Sequence, residues 1–76
     1  MSYNNIGLLY TELGDYPKSL EYFQRLLEIR KQLYGETNPN IAAVYGNISE
    51  LYSKLGNEDK AEEYRQKALE IRQRLD

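Results

Sequence analysis

Apolar residues recur at helical spacing along the whole chain, and no stretch alternates as a strand would. Tyr3, Ile6, Leu9, Tyr10 and Leu13 form one stripe. Gly14-Asp15 then interrupts it, and Pro17 falls just inside the next periodic segment. Gly past one helix and Pro in the first turn of the next is the expected punctuation, and Asp15 suits the N-cap. The second helix is predicted over about Tyr16 to Tyr34 and is apolar on two adjoining seams. One seam is Ser19, Tyr22, Leu26, Ile29 and Leu33; the other is Tyr16, Leu20, Phe23, Leu27 and Tyr34. A helix with two apolar seams has two neighbours. After the loop Gly35–Asn38, Asn38 before Pro39 reads as an N-cap followed by the first helical position. A third helix is predicted from about Pro39 to Leu55, with Ile41, Val44, Tyr45, Ile48, Leu51, Tyr52 and Leu55 inward. Gly56-Asn57 turns the chain into a fourth helix from about Asp59 to Leu75.

The pattern repeats itself. At an offset of 42 residues the chain matches itself at 16 of 34 positions, among them Tyr3/Tyr45, Asn5/Asn47, Tyr10/Tyr52, Tyr22/Tyr64 and the run Leu27–Arg30 on Leu69–Arg72. Matching at this level marks a duplication. The fold expected is all-α: one domain over residues 1–76, built as two stacked antiparallel helix-turn-helix units, 1–38 and 39–76, in a right-handed turn. Its expected core is Ile6, Leu9, Tyr10, Leu13, Leu20, Phe23, Leu27, Val44, Ile48, Leu51 and Tyr52.

Composition removes most chemistry. There is no Cys and no His, so the commonest metal ligands and the usual general base are missing. The Ser and Thr residues have no His to activate them, and no Gly-rich phosphate loop is present. Neither an enzyme, a cofactor nor a metal site is expected. Ten basic against twelve acidic residues give a net charge of -2, which disfavours nucleic acid as a partner. The eight Tyr fall mostly on inward seams and are expected to pack rather than to stack on bases. No apolar run is long enough to span a membrane. The opening MSYNNIG lacks the charged-then-apolar pattern of a signal peptide, so a cytoplasmic location is the expectation. The spacings Glu21/Arg25, Glu50/Lys54, Glu63/Lys67 and Glu70/Arg74 are those of surface i,i+4 ion pairs.

Two duplicated helical hairpins resemble tetratricopeptide repeats. The resemblance rests on Tyr3, Ile6, Gly7, Tyr10, Gly14, Tyr16, Ser19, Phe23 and Leu26, and on Tyr45, Ile48, Ser49, Tyr52, Gly56, Ala61, Ala68 and Leu69. The long period and the Asn38-Pro39 restart are similar to the 42-residue variety of kinesin light chains, which often has His-Pro there. The resemblance implies a non-catalytic scaffold binding a protein or peptide. It also implies a concave groove lined by the first helix of each unit: Asn5, Leu8 and Glu12 (with Met1), and Asn47, Glu50 and Lys54 (with Ala43). In that family an Asn at the position of Asn5 and Asn47 hydrogen-bonds a ligand's backbone. The set that grips carboxylate tails in some relatives is missing, since Asn4, Leu8, Gly46 and Glu50 stand in its place.

The units differ on their second helices. Tyr16, Leu20, Phe23 and Tyr34 become Glu58, Glu62, Arg65 and Asp76, while Leu27 stays Leu69. A polar outer seam is what a terminal repeat presents to water. The first helix looks clipped by about one turn, which leaves an uncovered side expected near Tyr3, Gly7 and Tyr10. Solenoids need about three repeats, so the chain reads as a fragment, a minimal unit or a piece completed by self-association. A homodimer through the N-terminal hairpin follows from that, and a structural module whose repeats only stack or oligomerise is the alternative function. An RNA-binding helical repeat is a further alternative, set against the acidic balance.

Overall fold

The computed structural model describes residues 2–75, without the Leu75 side chain; Met1 and Asp76, named above for the groove and the outer seam, lie outside it. The chain forms four helices: α1 (Tyr3–Glu12), α2 (Tyr16–Tyr34), α3 (Pro39–Lys54) and α4 (Glu58–Leu75). No strand occurs among the described residues. α1 packs on α2 and α3 on α4, and α2 packs on α3 to join the hairpins.

The turns inside the two hairpins are copies. Gly14 and Gly56 adopt φ of 81° and 82°, the left-handed conformation that ends a helix. The Asp15 N–H donates to the Tyr10 carbonyl at 2.9 Å, and the Asn57 N–H to the Tyr52 carbonyl at 2.8 Å. Each side chain then caps the next helix: Asp15 Oδ1 accepts from the Lys18 N–H, and Asn57 Oδ1 from the Lys60 N–H. Asn38 caps α3 through the Asn40 N–H, ahead of Pro39. The fourth helix starts at Glu58, one residue before the expected Asp59, and the third ends at Lys54 with Leu55 as its cap.

Tyrosines bind each hairpin internally. Tyr22 stacks on Tyr10, with centroids 5.7 Å apart, and meets Tyr3 at a tilt. Tyr64 repeats this with Tyr52 at 5.6 Å and with Tyr45. A cation covers each central ring, Arg25 on Tyr22 and Lys67 on Tyr64.

Where the small residues of each hairpin meet, a hydroxyl crosses between the helices. In unit one Ser19 of α2 donates to the Gly7 carbonyl of α1 at 2.7 Å, with Thr11 alongside at 2.6 Å. In unit two Ser49 of α3 donates to the Ala61 carbonyl of α4 at 2.7 Å. Ser49 is the counterpart of Gly7, and Ala61 that of Ser19. The donor has therefore changed helix. Position 7 must be glycine because a Cβ there would come within 2.8 Å of the Phe23 ring. Position 49 tolerates serine because Arg65 replaces that ring and turns outward to Glu62.

The core sits at the α2–α3–α4 junction. Phe23, Leu26, Leu27, Ile41, Ala42, Val44, Tyr45, Ile48, Leu51, Ala68 and Ile71 are buried together. Ile6, Tyr10, Leu20 and Tyr52 are only half-buried. Two expected core residues are not core: Leu9 is 43% exposed and Leu13 69%. The reason is visible in their copies. Leu51, the counterpart of Leu9, is 2% exposed because α2 lies over it; among the described residues no helix lies over the Leu9 side of α1. Likewise Ile71 is 6% exposed under the first turn of α3, whereas its counterpart Ile29 is 41% exposed, because α1 begins at Tyr3 and has no such turn. The uncovered side is thus Leu9, Leu13 and Ile29, and not Gly7 and Tyr10: Gly7 is buried under Phe23 and Tyr10 lies against Tyr22.

Candidate functional site

Six residues on α1 and α3 are the sequence-derived groove set. Leu8, Asn47, Glu50 and Lys54 come together with Thr11, Leu51 and Phe23 around one shallow depression of about 40 Å³ between the two helices. Phe23 is fully buried and forms its floor. Asn5 and Glu12 are exposed on α1 and do not border it. Asn47 is half-buried. Among the described residues the amides of Asn5 and Asn47 carry no hydrogen bond within the chain, and no buried side-chain polar atom is left without a partner. These amides therefore keep donors and an acceptor for a ligand or water.

Charges around the depression are arranged differently from the spacing rule. Lys54 leaves Glu50 and sits 5.8 Å from the centroid of the Tyr16 ring, bridging α3 to the start of α2. Glu21–Arg25 closes at 3.2 Å, but Glu63 pairs with Lys60 and Lys67 goes to the tyrosines. An aromatic face competes well with an exposed carboxylate, because the surface ion pair is worth about 0–1 kcal/mol. Lys31 also approaches the Tyr45 ring, and its hydrogen bond to Tyr45 holds its ammonium above the ordinary value, with Glu36 adding to the effect. Burial raises the Tyr64 phenol. The Glu62 carboxyl is lowered by its hydrogen bond from Gln66, with Arg65 also contributing.

The model of the tetratricopeptide repeat family matches residues 1–74. The chain belongs to the tetratricopeptide repeat family. Nothing among curated proteins matches it. Repeats of this family are typically non-catalytic scaffolds for protein–protein interaction. The 42-residue period is compatible with the kinesin-light-chain-like variety. No helix among the described residues is long and apolar enough to cross a membrane.

Sequence reasoning missed a second opening in this tetratricopeptide pair, a groove of about 220 Å³ between α3 and α4 that includes Gly46, Arg65, Leu69 and Arg72. One signal was available: Gly46 lies inside a helix at a position where a glycine is unfavourable.

Proposed function

We propose that the chain is a non-catalytic scaffold that holds a peptide or partner helix along the α1–α3 face. The observation that carries this reading is the convergence of Leu8, Asn47, Glu50 and Lys54, from different hairpins, on one depression. Leu8 supplies apolar contact, the two asparagine amides supply backbone hydrogen bonds, and Glu50 and Lys54 select charge. The absence of His and Cys from the sequence supports a binding role over an enzymatic one, and the acidic balance supports protein over nucleic acid as the ligand. A peptide selected from a displayed library on the intact chain tests the site. With Asn5→Ala/Asn47→Ala its affinity falls by about 1 kcal/mol for each lost hydrogen bond, while stability changes by less than about 0.5 kcal/mol. A sharp drop in the unfolding midpoint makes the amides structural and ends the groove reading.

The exposed Leu9 and Leu13 favour a second reading, self-association through the N-terminal hairpin. The polar seam of Glu58, Glu62 and Arg65 disfavours an open stack, so the assembly is a closed two-fold dimer. Sedimentation equilibrium decides it: a monomer at high micromolar concentration, with unfolding independent of concentration, removes this reading.

A further inference from the structure

A third opening, of about 400 Å³, lies between α2 and Tyr64 of α4. Glu21, Gln24, Arg25, Leu27 and Glu28 form its α2 wall. At 3.6 residues per turn, Glu21, Arg25 and Glu28 stand roughly 140° or more around α2 from Phe23, the floor of the α1–α3 depression. The two openings share no residue.

This wall has a surplus of hydrogen-bond acceptors. Arg25 is already engaged: it donates to Glu21 Oε1 at 3.2 Å and covers the Tyr22 ring. Oε2 of Glu21 remains. Glu28 pairs with no cation among the described residues. Gln24 spends a donor on the Tyr52 hydroxyl, at 3.4 Å, and keeps its carbonyl oxygen. Across the gap the Tyr64 phenol oxygen is a further acceptor. The nearby cations of α4 are held elsewhere. Lys60 lies 3.9 Å from Glu63, and Lys67 covers the Tyr45 and Tyr64 rings. Neither borders the opening.

The duplication singles out the same residues. Glu21, Gln24, Leu27 and Glu28 reappear as Glu63, Gln66, Leu69 and Glu70, and Arg25 becomes another cation, Lys67. On the α1–α3 face, by contrast, Leu8 becomes Glu50 and Glu12 becomes Lys54. What persists is the residue types and not the bonds they make. Glu21 pairs with Arg25, but Glu63 pairs with Lys60; Gln24 donates to Tyr52, but Gln66 donates to Glu62. Exposed polar side chains of this kind contribute little to stability, so packing does not account for their persistence.

We propose that the α2–α4 opening takes the guanidinium of an arginine side chain presented by a partner protein. The Glu28 carboxylate accepts two parallel N–H bonds. Gln24, one turn before Glu28 on α2, and Tyr64 accept the remaining outward N–H groups. The accessible edge of Leu27 lies along the arginine stem. Arginine suits this wall better than lysine, because the acceptors are spread over three side chains and a guanidinium carries its donors in one plane. The net charge of -2 favours the approach of a basic segment. The proposal is independent of the α1–α3 reading.

The probe is the blocked tripeptide acetyl-Gly-Arg-Gly-amide, titrated at low salt into the intact, isotope-labelled chain and followed by NMR. Shifts centred on Gln24, with its side-chain amide, and on Leu27, Glu28 and Tyr64 are expected. Citrulline in place of arginine keeps the shape and loses the charge; that peptide binds about fivefold more weakly, the scale of one exposed ion pair. Glu28→Gln weakens the arginine peptide by the same factor. Glu70→Gln removes the same charge from the copy of Glu28 and leaves the affinity unchanged. Both positions are exposed, and circular dichroism checks that the fold is kept. Asn5→Ala/Asn47→Ala also leaves this affinity unchanged, which separates the outcome from that of the groove reading. No shifts at these residues with millimolar peptide, shifts centred on Asn47 and Glu50, equal binding of the citrulline peptide, or equal losses in Glu28→Gln and Glu70→Gln overturns the proposal.

Discussion

Unit one and unit two share 16 of 34 aligned residues, yet the same residue in the two copies leads different lives. Leucine at 9 is on the surface and leucine at 51 is sealed; isoleucine at 29 is half in water and isoleucine at 71 is not. Conversely, Phe23 is the fully buried centre of unit one, while its counterpart Arg65 is an exposed residue of unit two paired with Glu62. Burial is set by what lies on the far side of a helix, and each unit has a different neighbour. The first unit lends its second helix to the second unit as a cover, and among the described residues no helix covers the first unit in that way.

The largest test of that comparison is truncation at the matched pair 23/65. Phe23→Ala is expected to cost about 3–5 kcal/mol, enough to unfold a chain whose total stability is at the low end of about 5–15 kcal/mol. Arg65→Ala should stay within about 0.5 kcal/mol. Urea denaturation followed by circular dichroism reads both, and comparable losses would mean that the units are equivalent after all. Next in size is the pair 51/9. Leu51→Ala should cost about 2–5 kcal/mol. Leu9→Ala should cost less than about 1 kcal/mol, since part of its apolar surface is already in water. A large loss at Leu9 that disappears on dilution would instead reveal a covering partner, which is the signature of self-association.

The smallest effect concerns pH. Burial favours the neutral Tyr64 phenol, and the hydrogen bond to Tyr45 favours the charged Lys31, so both groups bind their proton more tightly in the folded chain. Their stabilisation is complete below the ordinary range of these groups, about 10 to 10.4, and is lost as pH rises through it. Thermal midpoints should be flat through neutrality and fall above about pH 10. Tyr64→Phe should flatten part of that fall, and an unchanged slope would remove Tyr64 as its source. Glu62 acts in the opposite sense: its lowered carboxyl contributes above the ordinary carboxylate range and loses that contribution as pH falls, weakly because the group is exposed.

Local grammar was readable from the chain. Asp15 and Asn38 cap the helices they precede, and Tyr10, Tyr22, Tyr52 and Tyr64 pack as their seams implied, whereas Tyr34, placed on a seam, is 53% exposed. Periodicity could assign Leu9 and Leu13 to an apolar stripe but could not say whether anything covers it, so they were placed in the core. Ala42 belongs to no predicted stripe and is buried because the added turn of α3 presses on α4. For the groove, the family resemblance named six residues, of which Leu8, Asn47, Glu50 and Lys54 border one depression and Asn5 and Glu12 do not. The choice Lys54 makes between a carboxylate and a tyrosine face depends on the α2 start beside it, which lies many residues away in sequence.

The serine that changes helix, Ser19 in one hairpin and Ser49 in the other, bears on how such repeats can be recombined. A chimera joining α1 to α4 would bring Gly7 against Ala61, with no hydroxyl donated across from the second helix and only Thr11 of α1 left at the crossing. The reverse chimera would set Ser49 against both Ser19 and the Phe23 ring, where even a bare Cβ at position 7 is too close. Crossovers placed in the Gly35–Asn38 loop keep each pair intact; crossovers at Gly14 or Gly56 separate partners that have adapted to each other. The unit of inheritance in this chain is the hairpin, and a shuffled library cut at the tight turns should lose far more folded members than one cut at the loop.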